Sequence, residues 1–451
     1  MRIHFISIGG SVMHQLAIAL KHKGYCITGS DDEVFEPAAG NLKKEGILPE
    51  NIGWFPEKIT PDIDAIILGM HAKQDNPELK KAIELGLKIY SFPEYIYQES
   101  INKTRVAIGG SHGKTSTTAM IMHVLQNAHV DFDYLVGARL KGFEQSVKIT
   151  DAPIIICEAD EYPASTIEKR PKFHFLFPHI AVITGIAWDH INVFPTFDFY
   201  LEQFAIFIHK IEKNGVLIFN ETDEVLNKLI KENYRDDVRY IPYHLPTYFI
   251  ENGITSVKIG EEKTTLNVFG NHNLLNLQAA YHVCKELKMD DVTFAKAISN
   301  FAGAARRLEL IAQENNRNVY RDFAHAPSKV TASINAVKQQ FSGRKLVAVL
   351  ELHTFSSLNA EFMNQYKGAM DKADEAIVFY SNHALELKRM KPLDPKSVMN
   401  GFQKQNLKVI TARKELEETL AKEDINHCNF LFMSSGNYDG MDILKTLKLK
   451  D

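Results

Sequence analysis

The feature that most constrains the fold is a glycine-rich turn between an apolar stretch and a polar helix start, at residues 106–117. The apolar stretch 106–109 predicts a buried strand, and residues 114–117 predict the first turn of a helix. Glycines such as Gly110 and Gly113 allow consecutive backbone N–H groups to converge on phosphate oxygens. The pattern therefore predicts a strand, a phosphate-binding loop and a helix, which together are typical of an α/β fold.

The side chains of this loop suit a nucleotide and its metal ion. Lys114 is expected to reach the β- and γ-phosphates, and the Thr115 hydroxyl to bind Mg²⁺. The usual P-loop pattern has a glycine where this chain has Ile108, so the loop is a shortened variant. A strand–turn–helix unit without a ligand is the alternative, which a glycine followed by Lys-Thr-Ser-Thr fits poorly. The predicted nucleotide-binding residues here are Gly110, Ser111, His112, Gly113, Lys114, Thr115 and Ser116.

Length and composition limit the class of protein. The chain has 451 residues, enough for about three domains at ~150 residues each. Its net charge of −4 gives no sign of a nucleic-acid or anionic-membrane partner. Four scattered cysteines predict buried thiols in a reducing compartment. The apolar strand expected at the start predicts that there is no signal peptide, and no apolar run approaches the ~18 residues of a membrane span. We therefore expect a cytoplasmic protein, either a monomer or a weak homodimer.

The N-terminal segment is similar to a dinucleotide-binding unit with an incomplete glycine pattern. A strand at 3–8, a glycine turn, a helix at 13–21 and a strand at 26–31 follow one another. Two of the three fingerprint glycines are replaced, so NAD binding is not supported. The helix start could receive the diphosphate of another nucleotide, or the segment could be a plain α/β packing unit. The predicted ligand residues are Gly9, Gly10, Ser11, Ser30, Asp31 and His71, although His71 taken alone fits a solvated loop histidine better than a ligand.

Three strands of the middle third are each followed by a polar residue. Strands at 106–109, 152–157 and 180–184 lead towards Thr115, Glu158 and His190. Carboxyl ends of neighbouring parallel strands lie at one edge of a sheet, where such folds bind ligands. Each residue alone could be a cap or a turn residue, but their convergence predicts a Mg²⁺ site.

The motifs, in order along the chain, resemble those of the Mur ligase family of ATP-dependent amide-bond-forming enzymes. They are Gly110-Ser-His-Gly-Lys-Thr-Ser, Glu158-Ala-Asp-Glu, Asp189-His190, Gly270-Asn-His-Asn-Leu-Leu-Asn276 and Arg306-Arg307-Leu-Glu. The resemblance covers essentially the whole chain. It implies an α/β protein of three domains: a Rossmann-like N-terminal domain at 1–103 for a UDP-sugar, a central P-loop ATPase-like domain at 104–306, and a Rossmann-like C-terminal domain at 307–451.

The resemblance also implies roles for individual residues, with ATP and Mg²⁺ as cofactors. Mg²⁺ is expected at Thr115, Glu158 and His190. His272, Asn273 and Asn276 match positions that contact the adenine nucleotide, although helix-start asparagines often only cap the backbone. Arg307 is expected near the phosphates of ATP and Asp322 against its ribose. The predicted catalytic residues are Lys114, His190 and, beside the amine substrate, His325.

Two groups of family members begin with UDP-N-acetylmuramate. One adds L-alanine, and the other adds the tripeptide L-alanyl-γ-D-glutamyl-meso-diaminopimelate during peptidoglycan recycling. Segments 30–37 and 158–162 resemble the tripeptide-adding members, whereas 351–356 partly resembles the alanine-adding ones. Residues 201–208 lack the lysine that several other members carbamoylate, which also indicates a muramate-binding member. We predict the tripeptide as the amine substrate and keep L-alanine as the alternative. A P-loop nucleotidase or regulator without an amine acceptor is the remote alternative.

Overall fold

The computed structural model describes residues 1–70, 72–137, 140, 142–165, 167–188, 193–314, 317–423 and 427–449. The chain forms two compact units, residues 1–244 with 275–298, and residues 245–274 with 299–451. Two mostly parallel sheets lie in the first unit, and a small antiparallel sheet and a mixed sheet lie in the second. The predicted α/β class is confirmed, and the domain bounds 103/104 and 306/307 stay a prediction.

The N-terminal part of the first unit is a four-stranded parallel sheet in the order β2-β1-β3-β4. Its strands are β1 (Arg2–Ile6), β2 (Cys26–Ser30), β3 (Ala65–Leu68) and β4 (Ile89–Ser91). The connecting helices are α1 (Met13–His22), α2 (Ala38–Lys44), α3 (Pro77–Glu84) and α4 (Phe92–Ser100). All four residues of β3 are buried, as expected for an apolar strand inside a parallel sheet.

The central part of the first unit is a seven-stranded sheet in the order β11-β10-β9-β5-β8-β6-β7, in which only β7 is antiparallel. Its strands are β5 (Thr104–Gly109), β6 (Asp133–Leu135), β7 (Val147–Lys148), β8 (Ile154–Glu158), β9 (Ile180–Ile183), β10 (Val216–Asn220) and β11 (Arg239–Tyr243). Its helices are α5 (Lys114–Asn127), α6 (Phe197–His209) and α7 (Glu224–Glu232). Strand β5 lies between β8 and β9, so the carboxyl ends of these three strands meet at one edge.

The second unit contains an antiparallel sheet and a six-stranded sheet in the order β15-β16-β20-β17-β18-β19. The small sheet is β12 (Tyr248–Glu251), β13 (Ile254–Ile259) and β14 (Glu262–Leu266), and α8 (Asn271–Glu286) and α9 (Asp291–Ser299) follow it in the chain. The larger sheet is β15 (Glu309–Glu314), β16 (Arg317–Asp322), β17 (Lys345–Glu351), β18 (Glu375–Phe379), β19 (Lys408–Ile410) and β20 (Cys428–Met433). Its helices are α10 (Pro327–Gln340), α11 (Asn382–Leu387), α12 (Pro395–Phe402), α13 (Arg413–Ala421) and α14 (Ile443–Thr446).

The cores are apolar and aromatic. In the first unit, the ring of Phe173 stacks on Phe207 with centroids 4.8 Å apart and meets Phe204 edge-on at 5.5 Å. The prediction of buried thiols is wrong for one of the four cysteines. Cys26 is exposed because it is the first residue of β2, where alternate side chains face outward. Among the described residues, every helix is too short or too polar to cross a bilayer.

Candidate functional site

A glycine-rich loop joins β5 to α5 at the edge where the central strands converge. Gly110 has φ +123° and Gly113 has φ +83°, values that residues with a Cβ rarely adopt. A Cβ at Gly110 would collide with Thr184, and one at Gly113 would collide with the amide of Asn276. Both glycines are therefore required by conformation and by close packing, and the loop wraps the start of α5 as the sequence predicts.

The ammonium group of Lys114 lies inside this loop beside a buried carboxylate. Its Nζ donates to the Gly110 carbonyl at 2.7 Å and to Glu161 Oε2 at 2.8 Å. The Glu161 side chain is only 1% exposed. Burial opposes the charge of Lys114, but the carboxylates of Glu161, Asp160 and Glu158 together outweigh that effect, so the pKa of Lys114 is raised above its ordinary 10.5. The lysine is fully charged at neutral pH, and a phosphate would compete with Glu161 for it.

Thr115 and Glu158, two of the three predicted Mg²⁺ ligands, are in direct contact. Thr115 Oγ1 donates to Glu158 Oε1 at 2.7 Å, and Glu158 Oε2 accepts from the Gly137 N–H at 3.0 Å. The contact follows from register, because Glu158 ends β8 opposite Ile108 of β5. The third predicted ligand, His190, lies outside the described residues.

These oxygens fit a magnesium ion that is bound together with phosphates. Mg²⁺ prefers hard oxygen donors and commonly takes one or two carboxylates plus substrate phosphate oxygens and water. Within the described ranges, no group of three or more His, Cys, Asp or Glu side chains is arranged for a metal. A nucleotide bound here would supply phosphate oxygens as further ligands, and the uncapped amino end of α5 would favour its phosphates.

The remaining loop residues are used largely for support. Ser111 Oγ lies 2.9 Å from the hydroxyl of Tyr200 and accepts from the Ala187 N–H at 2.9 Å. Tyr200 OH also lies 3.4 Å from Glu161 Oε1. His112 Nδ1 is 2.7 Å from the Ser111 carbonyl oxygen, and Ser116 is buried in the first turn of α5. The structure thus assembles a lysine–glutamate–tyrosine–serine network around the loop.

Glu161 and Tyr200 were missed as candidates by sequence reasoning. Glu161 lies in the Glu158-Ala-Asp-Glu motif, so its presence there was a usable signal. Tyr200 sits in an aromatic-rich helix, α6, and no local pattern distinguishes its hydroxyl from that of a core tyrosine.

The three residues predicted to contact the adenine nucleotide have different surroundings. Asn276 adjoins Gly113 and so lies beside the phosphate loop. Asn273 Nδ2 donates to the Phe269 carbonyl at 3.0 Å, which is a backbone-supporting role. Burial lowers the pKa of His272, against the opposing charge of Asp322, so its imidazole is neutral near pH 7.

In the second unit, Asp322 ends β16, and both oxygens of its carboxylate accept hydrogen bonds. Its Oδ2 accepts from the Leu308 N–H at 3.0 Å and from Ser333 Oγ at 3.1 Å, and its Oδ1 accepts from the Ala324 N–H at 2.8 Å. These bonds hold the turn that carries Arg307, whose guanidinium lies 4.9 Å from the centre of the Phe323 ring. The carboxylate orders this turn, and Oδ1, which accepts one of these bonds, keeps a lone pair that a ribose hydroxyl could use.

His325 follows directly after this turn. Its Nδ1 lies 2.8 Å from the Phe323 carbonyl oxygen, and its ring meets the Phe323 ring edge-on at 5.3 Å. The Tyr366 hydroxyl donates to its backbone carbonyl. The imidazole is therefore held in one orientation, at the carboxyl end of β16.

The predicted sugar-nucleotide residues gather at the carboxyl edge of the N-terminal sheet. The Gly9 N–H donates to Asp31 Oδ2 at 2.6 Å, while Gly10 and Ser11 lead into α1. Burial raises the pKa of Asp31 to about 6, against the hydrogen bond from Gly9. Among the described residues no side chain caps α1, and the buried Ser30 hydroxyl has no hydrogen-bond partner. An uncapped helix start and a spare hydroxyl suit an anionic, hydroxyl-bearing ligand. His71 lies outside the described residues.

Three sequence models of known domains match the chain. Residues 2–102 match the model "Mur ligase family, catalytic domain", residues 108–284 match "Mur ligase middle domain", and residues 306–435 match "Mur ligase, glutamate ligase domain". Together they cover well over half of the chain.

Curated relatives and solved structures agree with these matches. A UDP-N-acetylmuramate–L-alanine ligase of Caldicellulosiruptor bescii is 32% identical over 83% of this chain and 82% of its own length. A UDP-N-acetylmuramate–L-alanyl-γ-D-glutamyl-meso-2,6-diaminoheptandioate ligase of Haemophilus influenzae is 27% identical over 99% of both chains.

Among solved structures, a murein peptide ligase of Psychrobacter arcticus shares the fold with a TM-score of 0.62 and 21% identity, covering 99% of this chain and 98% of its own. A UDP-N-acetylmuramate–alanine ligase of Thermotoga maritima does so with a TM-score of 0.67 and 22% identity, covering 99% and 97%. The chain therefore belongs to the Mur ligase family and is an enzyme of that family's ATP-dependent, carbon–nitrogen bond-forming type.

Proposed function

We propose that the chain uses ATP to join UDP-N-acetylmuramate to the tripeptide L-alanyl-γ-D-glutamyl-meso-diaminopimelate in the cytoplasm. The observation that carries the ATP step is the 2.7 Å contact of Thr115 with Glu158 beside the loop that presents Lys114. The observation that favours the tripeptide is the end-to-end similarity to the H. influenzae enzyme, over 99% of both chains. In this proposal the domains 1–103, 104–306 and 307–451 bind the sugar nucleotide, ATP and the amine, respectively, without a nucleic acid or a membrane as partner.

The first step activates the lactyl carboxylate of the muramate, which is a poor electrophile. A carboxylate oxygen attacks the γ-phosphorus of ATP, the bond to the β-phosphate oxygen breaks, and ADP leaves an acyl phosphate behind. Phosphoryl transfer depends mainly on positioning and charge neutralisation, which the ammonium of Lys114 provides. Mg²⁺ held by Thr115, Glu158 and His190 would supply further positive charge when bound.

The second step forms the amide. The amine nitrogen attacks the acyl carbon, the carbon–oxygen bond to phosphate breaks, and the amine gives up a proton. We assign charge stabilisation of the tetrahedral intermediate to Lys114 and His190, and contact with the amine substrate to His325. Exclusion of water would protect the acyl phosphate from hydrolysis.

L-Alanine is the second candidate for the amine. Several L-alanine ligases are 31–33% identical to the chain, which exceeds the 27% of the tripeptide-adding relative. These alignments cover 82% of each of those relatives rather than their full length. Percentage identity thus favours L-alanine as the amine, and the extent of the alignment favours the tripeptide.

A competition experiment decides between the two amines. The chain is incubated with ATP, Mg²⁺, limiting UDP-N-acetylmuramate and equal amounts of L-alanine and tripeptide, and the products are resolved by mass. A site built for the charged groups of the tripeptide should reject an amine that lacks them, because its own polar groups would be left unpaired. We expect the tripeptide adduct to dominate. A dominant UDP-N-acetylmuramoyl-L-alanine peak would contradict the tripeptide assignment, and ADP release without either amide would favour a nucleotidase.

A further inference from the structure

An imidazole and a carboxylate form a fully buried pair below the proposed sugar-nucleotide site. His4 lies in β1, Glu78 lies in the first turn of α3, and both side chains are 0% exposed. His4 Nε2 is 3.2 Å from Glu78 Oε2, and His4 Nδ1 is 2.9 Å from Thr28 Oγ1. Burying such a pair costs desolvation free energy, and the proposed chemistry makes no use of it. The pair therefore calls for a separate explanation.

The second oxygen of Glu78 reaches a loop that is distant in the sequence. Glu78 Oε1 accepts from the Phe55 N–H at 2.7 Å. The position of the carboxylate is well defined, because Asn76 caps the same helix by accepting from the N–H groups of Glu78 and Leu79 at 2.9 and 3.0 Å. The amino end of α3 also favours a negative charge there. Glu78 thus connects β1, the start of α3 and the loop at residue 55.

The same loop continues to the proposed ligand residues. The Gly53 N–H donates to the Asp31 carbonyl oxygen at 2.8 Å, as an isolated antiparallel bridge. The Asp31 carboxylate in turn accepts from the Gly9 N–H at 2.6 Å. Glu78 is therefore connected to the turn at Gly9 through the loop from Phe55 to Gly53 and then through Asp31. This turn is where α1 would receive a diphosphate.

We propose that His4 and Glu78 are positioning residues for the sugar nucleotide, holding the 53–55 loop so that it fixes the backbone of Asp31 and the turn at Gly9. Neither side chain touches the ligand. The inference rests on the proposed function, since it assumes that Gly9 and Asp31 line the UDP-sugar site. Groups that bind a ligand need support from a second layer of packed and hydrogen-bonded residues, and this pair supplies it.

A positioning role and a merely structural role predict different kinetics. Glu78→Ala leaves the Phe55 N–H without its acceptor and frees the loop. We expect the KM for UDP-N-acetylmuramate to rise about tenfold or more, with kcat at saturation and the KM for ATP within about twofold of wild type. Glu78→Gln should restore most of the affinity, because the amide oxygen can still accept from Phe55 and His4 can adopt the other tautomer. A structural role alone would lower the unfolding temperature without changing this KM.

Two further variants keep the test decisive. Glu84→Ala alters the same helix at a side chain that is 65% exposed, and it should match wild type. Gly53→Ala perturbs the same loop without changing Glu78. Gly53 has φ +127°, which alanine rarely adopts, and it is only partly buried, so the substitution should strain the loop without disrupting the core. It should raise the same KM even if Glu78→Ala fails to fold. An unchanged KM in Gly53→Ala and in any folded Glu78→Ala overturns the proposal, whereas a wild-type chain that does not bind UDP-N-acetylmuramate contradicts the proposed function instead.

Discussion

Removing the ammonium of Lys114 should destabilise the fold as well as abolish catalysis. The substitution Lys114→Met keeps most of the side-chain volume but deletes the charge that lies 2.8 Å from Glu161 Oε2. Glu161 is 1% exposed and Lys114 is 15% exposed, so water cannot easily replace the lost partner. Breaking a buried ion pair from one side costs about 3–5 kcal/mol. We expect the free energy of unfolding to fall by about 3 kcal/mol, the lower bound of this range, because the lysine side of the pair is partly exposed.

The double variant Lys114→Met with Glu161→Gln tests whether the uncompensated charge is the cause. Neutralising Glu161 removes the buried carboxylate, so the free energy of unfolding should recover most of the loss. Urea denaturation without nucleotide measures this recovery, and ADP release measures activity. Both the single and the double variant should be slower by on the order of 10²-fold or more, because neither supplies the cation at the phosphates.

Two results would refute this reasoning. If Lys114→Met is as stable as wild type, the Glu161 carboxylate does not depend on the lysine. If Lys114→Met turns over ATP at a near-normal rate, the assignment of the loop as the phosphate site is wrong. Lys81, which is 40% exposed and pairs with Glu84 on the surface, offers a matched control, and Lys81→Met should change stability by well under 1 kcal/mol.

Two other predictions concern the metal and the sugar-nucleotide site. Glu158→Gln should raise the Mg²⁺ concentration needed for half-maximal rate while calorimetry shows unchanged affinity for UDP-N-acetylmuramate; the reverse pattern would contradict the domain assignment. Burial raises the pKa of Asp31 to about 6 from an ordinary 3.8, so the folded state binds more protons and stability falls as the pH rises from about 4 to about 6. Asp31→Asn should remove this pH-dependent part of the free energy of unfolding, which is worth at most about 3 kcal/mol. If the free energies of unfolding of both proteins change with pH in the same way between pH 4 and 7, Asp31 does not make this contribution.

Much of the fold was predictable because its signals are local. The apolar runs and glycine turns predicted strands at 3–8, 26–31 and 180–184, and the structure has β1, β2 and β9 there with ends shifted by at most two residues. Burial of continuous apolar strands favours a parallel sheet, and the order of elements then limits the topology. The exposed Cys26 shows the limit of this reasoning, since composition does not tell which face of an edge strand is covered.

The sequence by itself also determined the part of the site that depends on short stretches and on strand register. The positive φ of Gly113 and the start of α5 at Lys114 follow from adjacent residues. The contact of Thr115 with Glu158 follows once β5 and β8 are parallel neighbours, because both residues then lie at the same edge.

Only the tertiary structure decided the contacts between residues far apart in the chain. From the sequence alone, Lys114 is predicted to reach the phosphates of ATP, yet the lysine also meets Glu161, 47 positions away, in a buried pair. Tyr200 reaches Ser111 across 89 positions, and His4 meets Glu78 across 74. Such partners are chosen by how helices and loops pack on the sheets, and the free energy of each contact depends on burial that no local pattern specifies.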